Sequence, residues 1–303
     1  MKTKLAATLS AGQLAVTAEV VPPADATRAT IGKMAAGLPA GLDAVVVADN
    51  AEHVRCSALA CAAILAELGT VPTPILSIVT RDRNRVALQS EVLGAAALGV
   101  TSLLCLSGEH QSLGVSPQAA GANDIDSIQL TAAVRTLCEQ GVGFAGQADK
   151  VEAKPEFFLG ATAHPYLRPM ELNLLRLVKK VQAGAAFVLT QAVFDVAGFV
   201  AWMDAVRAAG LDKQVAILAS VCPLTSVDQA RKLAAKKTYG PVSDEVIARM
   251  AKATDPAREG IAIAAEMARQ VKAIPGVRGV HILSGGCESS AAAVIEQAGL
   301  TRA

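Results

Sequence analysis

The chain has 303 residues, 52% of them hydrophobic and only 3% aromatic, with a formal net charge of +1. An interior made of Ala, Val, Leu and Ile suits a parallel sheet buried on both faces, and the lack of a basic face or of aromatic rings for base stacking argues against a nucleic-acid partner. Six scattered cysteines with no Cys-x-x-Cys pair argue against a disulfide framework or a zinc site, and point to reduced thiols and a cytoplasmic location.

Along the chain, "MKTKLAATLSAGQLAV" opens like a signal peptide, but Gly12 and Gln13 interrupt it and "TAEVVPP" continues as a strand, so no leader is expected. No window reaches the roughly 18 apolar residues of a membrane span. Eight short β-branched runs follow one another: Ala15–Val20, Asp43–Ala48, Pro74–Val79, Thr101–Leu106, Glu156–Ala161, Ala186–Thr190, Val215–Ser220 and Gly279–Leu283. Between them lie apolar residues at helical spacing, as in His53–Leu68 and Arg85–Leu98. Gly69, Gly99, Gly184 and Gly210 mark helix ends, where glycine accepts a left-handed backbone at little cost.

Eight alternating strand–helix units predict an α/β fold: a single (β/α)8 barrel domain over residues 1–303, in the size range of such barrels at about 250 residues plus insertions. The alternative is an open doubly wound sheet, which the missing Gly-x-Gly-x-x-Gly after the first strand disfavours. Two segments exceed the simple repeat. Gln111–Gly146 holds a loop before the fourth helix. Thr238–Pro275 predicts an extra helical insertion before the eighth strand, where Asp255-Pro256 reads as a cap and a first-turn proline.

In a closed barrel the carboxyl ends of the strands share one mouth. The residues falling there are Glu19, Asp49-Asn50, Thr80–Asn84, Ser107-Gly108-Glu109-His110, Thr162 and His164, Thr190-Gln191, Ser220 with Cys222-Pro223, and Ser284–Gly286. Glu19 lies inside the apolar run "VTAEVVPP", where a carboxylate is costly unless paired or functional. With Glu109 from a second strand it offers two carboxylates in different surroundings, suited to proton transfer beside an electrostatic partner. His110, His164 and His281 lack metal-ligand spacing and read as hydrogen-bonding or packing residues; no metal is expected. Gly285-Gly286 hints weakly at a phosphate cradle. The "RDRNR" run (Arg81–Arg85) reads as a solvated helix cap, through Asp82 or Asn84, or as cations beside the mouth.

The segments "AEVVPP", "RDRNRVALQSEVLGAAALGV", "LLCLSGEH", "DIDSIQL", "FFLGATAHP", "ELNLLRLVKKVQAGAAFVLTQAVFD" and "GVRGVHIL" resemble the methylenetetrahydrofolate reductase family. The likeness is to its short bacterial form, from acetogens and one-carbon degraders. It runs in order from Leu14 to Leu300, and the stretch from Leu177 to Asp195 is its most specific part. The resemblance implies a flavin-binding barrel that interconverts 5,10-methylenetetrahydrofolate and 5-methyltetrahydrofolate.

Carried over by motif, Glu19 becomes the acid that protonates folate N10. Glu109 becomes the acidic group beside flavin and pterin, and Gln191 a substrate contact over the flavin. Gly108, Glu109, His164, Lys180 and Ala185 become cofactor contacts, although Lys180 could equally be an exposed helix residue. Leu233 stands where relatives carry an aromatic that packs on nicotinamide or folate. Departures from the longer enteric-type pattern include Glu109 for Asp, Ala48 for Thr, Ile75 for His and "LSGG" for "TLNR". They leave open FAD or FMN as the flavin, and NADH, another donor or an electron-donor subunit as the reductant. Tetrahydrofolate derivatives and a homo-oligomer are the expected partners, with no membrane. The alternative is a folate-binding barrel subunit without catalysis of its own.

Overall fold

The computed structural model describes residues 3–301, except 26, 51–52, 114–115, 237–239 and 286. The chain opens with α1 (Lys4–Ser10), β1 (Ala15–Val20), α2 (Arg28–Ala36), β2 (Ala44–Val47), α3 (Ala58–Leu68), β3 (Pro74–Val79), α4 (Arg85–Ala97) and β4 (Ser102–Leu106). It continues through α5 (Ser127–Gln140), β5 (Val142–Gly143), β6 (Gly146–Lys150), β7 (Phe158–Ala163), α6 (Met170–Ala183), β8 (Phe187–Ala192) and α7 (Val196–Ala208). It ends with β9 (Ala216–Val221), α8 (Val227–Ala235), α9 (Asp244–Lys252), α10 (Pro256–Val271), β10 (Val277–Ile282) and α11 (Glu288–Gln297).

Eight of the strands close into a parallel barrel in the order β1-β10-β9-β8-β7-β4-β3-β2, with β2 pairing back onto β1. These are the eight expected strands, shifted by at most two residues at their ends. The β5–β6 hairpin lies outside the barrel and is not expected from sequence: β5 is two residues long and β6, "GQADK", has no apolar run. No helix among the described residues is long and apolar enough to cross a membrane.

The barrel strands show little sequence alternation because both faces are buried: β2 and β3 are covered along their whole length. Packing nevertheless separates the faces. Val45, Val47, Leu76 and Ile78 join the outer core against the helices, whereas Val46 and Ile75 join an inner cluster with Ala15, Ala44, Leu104, Phe187, Leu189 and Leu218. This inner cluster also takes Leu5 and Leu9 of α1. The helix that reads as a leader is therefore the floor of the barrel. The buried Asp43 carboxylate pins it, accepting from Thr8 Oγ1 at 2.8 Å and from Val16 N–H at 2.7 Å. Lys4 and Arg278 add hydrogen bonds to the Leu42 and Leu9 carbonyls.

Helix starts follow the capping residues in the sequence. Asn84 caps α4, Asp126 and Gln129 form a reciprocal capping box on α5, and Asp255 caps α10 with Pro256 in its first turn. Of the two candidates in "RDRNR", Asn84 is the cap.

Low in the barrel, Phe187 stacks on Phe158 with ring centroids 5.2 Å apart. Gly160 makes the room: a Cβ there would stand 2.2 Å from the Phe187 ring. Gly160→Ala is expected to destabilise the protein by about 1–3 kcal/mol through overpacking, read as a lower urea midpoint with an unchanged slope.

Candidate active site

Side chains on a strand alternate faces, so a known inward residue fixes its neighbours. Ala15 faces inward, so Thr17 and Glu19 follow on the same face of β1. Register carries the assignment across strands: Ala15 aligns with Gly279 and Thr17 with His281, while Leu218 and Ser220 of β9 align with Gly279 and His281. The carboxyl ends of β1, β4 and β8 then bring Glu19, Glu109 and Gln191 to one mouth. Around the ring, three strand steps separate β1 from β4, two separate β4 from β8, and three return from β8 to β1. The three residues thus face one opening from three sides, each half-buried.

Glu19 is tied to the end of β10. Its Oε2 accepts from the Gly285 N–H at 3.2 Å, and its backbone carbonyl accepts from Ser284 Oγ at 2.9 Å. One layer below lies a polar row in an otherwise apolar interior. Thr17 Oγ1 and His281 Nδ1 are 2.9 Å apart, and Ser220, fully buried, aligns with His281 and has no partner for its hydroxyl. Burial holds the His281 imidazole down to about 3, against a weaker opposing contact from the Thr17 backbone. His281 is therefore a neutral hydrogen-bonding residue. Ser220 is expected at the mouth and lies one layer below it; Thr17 escapes sequence reading, though stepping back two residues from Glu19 finds it.

The β2–β4 side of the mouth is held by ion pairs. Buried Asp49 accepts from Val79 N–H at 3.0 Å and from two Arg83 nitrogens at 2.7 and 3.2 Å. Arg83 Nε also meets Glu91 at 2.5 Å; burial pushes the Glu91 carboxyl up, with Arg83 opposing and Asp49 adding to the rise. Arg81 chelates Asp82 and donates to the Glu109 carbonyl at 3.1 Å. Arg85 chelates Asp124. All three guanidiniums are engaged with carboxylates at the rim. Gly108 turns the chain beside them at φ +80°, and a Cβ there would meet Val79 Cγ1 at 2.6 Å.

His164 follows β7 at the mouth, half-buried, its carbonyl taken by Asn173 Nδ2 at 2.7 Å. Lys180 is not an exposed helix residue: it is 6% exposed, and its ammonium donates to the Thr162 carbonyl at 2.6 Å. Side chains on a helix lean toward its N-terminus, which for α6 is the mouth end, so the ammonium rises along the strand. Burial lowers its pKa to about 8, helped by Arg176 and opposed by Asp126.

Two expected contacts are not brought to the mouth. Ala185 lies in the turn from α6 into β8, 4% exposed in the outer core, because helix-to-strand turns fall at the amino end of a parallel barrel. Leu233 is 6% exposed and packs with Leu224, Ala230, Val242, Val246 and Met250 in a cluster formed by α8–α10 over the ends of β8 and β9. Its side chain serves the interior of that cap. Gly285 faces solvent beside Glu19; Gly286, the second glycine of the hinted cradle, lies outside the described residues.

The neutral His281 has a consequence in acid. The unfolded imidazole takes a proton near its ordinary 6.5, whereas the folded one refuses it until about 3. Folding stability should therefore fall as pH drops below 6.5, by up to about 1.4 kcal/mol per pH unit from this group. Urea midpoints between pH 6.5 and 4.5 should fall more steeply for the natural protein than for His281→Asn; equal slopes would contradict the assignment.

A family model described as Methylenetetrahydrofolate reductase matches residues 4–299. The chain is 29% identical over 160 residues, 48% of its length, to Methylenetetrahydrofolate reductase 1 of Schizosaccharomyces pombe. It is 37% identical over 71 residues, 23% of its length, to 5,10-methylenetetrahydrofolate reductase of Escherichia coli. The matched stretches span 25% and 23% of those two relatives. Among solved structures, it is similar to an uncharacterized protein from Clostridium thermocellum that binds two copies of 5-methyl-5,6,7,8-tetrahydrofolic acid. That likeness has a TM-score of 0.64 at 13% identity and covers 98% of this chain and 100% of the other; at this identity it concerns the fold.

Proposed function

The chain belongs to the methylenetetrahydrofolate reductase family, and we propose that it interconverts 5,10-methylenetetrahydrofolate and 5-methyltetrahydrofolate with the help of a bound flavin. The observation that carries this reading is Glu19, a half-buried carboxyl on the inward face of β1, held by a Gly285 N–H at the open end of an apolar barrel. Folate binding by a neighbour of the same fold is consistent with it.

The residues at the mouth suit a flavin. A flat heteroaromatic ring asks for an apolar bed with a few polar groups at its edge. Leu106 and Leu283 are half-buried apolar residues at the mouth, and the Gly108–Glu109 turn and Gln191 supply polar edges. Gly108, Glu109, His164 and Lys180 would hold the group, Lys180 bringing a buried cation to the Thr162 carbonyl near the carboxyl end of β7. A bound flavin, FAD or FMN, would supply hydride transfer to and from the one-carbon unit, with NADH or an electron-donor subunit as the reductant.

The chain's own residues then divide the work. Glu19 in its acid form gives a proton to folate N10 as the imidazolidine ring opens, and recovers it in the reverse direction. Glu109, its backbone fixed by Arg81, presents an anion that accepts from the N–H donors of a pterin. Gln191 offers an amide that both donates and accepts at the third side of the opening. The capped β8–β9 side and the packed floor exclude water from beneath.

The purified protein should be yellow, or turn yellow on adding flavin, and should catalyse folate-linked oxidoreduction; a colourless protein that binds neither FAD nor FMN would end the flavin reading. Glu19→Gln should lower turnover by about 10²–10⁴-fold while 5-methyltetrahydrofolate still binds. Unchanged turnover would remove proton donation from Glu19, and folate binding without any turnover in the natural protein would favour a binding subunit.

A further inference from the structure

The β8–β9 ladder slips at the residue that the proposed reaction uses. Leu189 aligns with Leu218, but the next aligned pair is Ala192 with Ser220. Two residues of β8, Thr190 and Gln191, therefore oppose the single Ala219 of β9, which is a β-bulge. In the regular part of the ladder the Ala216 N–H goes to the Ala186 carbonyl. At the slip, the Ser220 N–H donates to the Thr190 side chain, Oγ1, at 3.0 Å. The same hydroxyl donates its proton to the Gln191 carbonyl at 2.8 Å. Past the bulge the ladder resumes, with Val193 N–H donating to the Ser220 carbonyl at 2.8 Å.

One hydroxyl thus accepts from β9 and donates to the bulged residue. Thr190 is 5% exposed, so an unmet Ser220 N–H could not turn to solvent, and Ser220 is itself fully buried. We propose that Thr190 is the positioning residue for Gln191: its hydroxyl bridges the Ser220 N–H of β9 and the Gln191 carbonyl, holds the bulge open, and so fixes where the Gln191 amide stands at the mouth. This rests on the reading that Gln191 touches the folate. Thr190 does not touch substrate; it acts through Gln191. Without the hydroxyl, the bridge between the buried Ser220 N–H and the Gln191 carbonyl is lost and the ladder is released toward regular pairing, which displaces Gln191.

The test uses the full chain and four variants: Thr190→Val, which keeps the shape and removes the hydroxyl, Thr190→Ser, which keeps the hydroxyl, Gln191→Ala, and the Thr190→Val/Gln191→Ala double variant. The readouts are Kd for 5-methyltetrahydrofolate by titration calorimetry, kcat/KM for folate turnover, and the thermal midpoint. Thr190→Val is expected to weaken binding or kcat/KM about ten- to a hundredfold, Thr190→Ser to restore most of it, and Thr190→Val to add nothing in the Gln191→Ala background. A Thr190→Val loss that persists undiminished without Gln191 overturns the proposal, as does a Thr190→Val protein with natural Kd and kcat/KM beside a crippled Gln191→Ala. If Gln191→Ala itself changes neither readout, the substrate role of Gln191 fails, and this proposal with it. Should Thr190→Val not fold, Thr190→Ala carries the same comparison.

Discussion

Ring closure of a parallel sheet is the constraint on which everything else in this protein depends. Once β2 pairs back onto β1, every second side chain of eight strands must point into a space barely wide enough to hold them. All the strands also end on the same side. The first condition makes the interior expensive for polar groups; the second collects whatever polar groups remain at one opening. Glu19, Gln191 and the Gly108–Glu109 turn come from stretches far apart in sequence, yet closure leaves them nowhere to go but a shared mouth.

The two ends of the barrel solve opposite problems. The amino end is sealed by apolar matter: the Phe158–Phe187 stack, admitted by Gly160, and the leucines of α1. Asp43 can be buried there because it accepts from a hydroxyl and a backbone N–H, which compensates its desolvation. The carboxyl end is shaped by paired charges instead. Asp49 and Arg83 form a two-point contact that also catches the Val79 N–H, which ties the ends of β2 and β3 to the residue before the α4 cap. Charges locked in this way build the rim and leave the reacting groups to be carried by the strands.

Between these ends lies a graded interior. Apolar layers give way to the Thr17–His281–Ser220 row and then to Glu19 and Gln191 at the opening. A neutral imidazole below a half-buried carboxyl adds hydrogen-bonding capacity without adding charge beneath the group proposed to carry a proton. The β8 bulge serves the same zone, since an irregular strand is how a sheet re-aims one side chain without rebuilding its neighbours. The cap of α8–α10 closes the β8–β9 side, and Leu233, where an exposed ring might be looked for, fills its core.

The sequence alone determined the strand–helix alternation, the parallel barrel, the Asp255-Pro256 helix start and the identity of Glu19, Glu109 and Gln191 as rim residues. These depend on local pattern: apolar runs of strand length, capping side chains and glycine stops are written in consecutive residues. The tertiary structure decided what depends on contacts between distant strands. It turned a leader-like segment into the barrel floor, drew the "RDRNR" arginines into internal ion pairs, and buried Lys180 under its helix. It sent Ala185 to the far end and paired Thr17 with His281 across 264 positions of chain. Register, closure and the slip at Thr190 are relations between strands, and no window of neighbouring residues contains them.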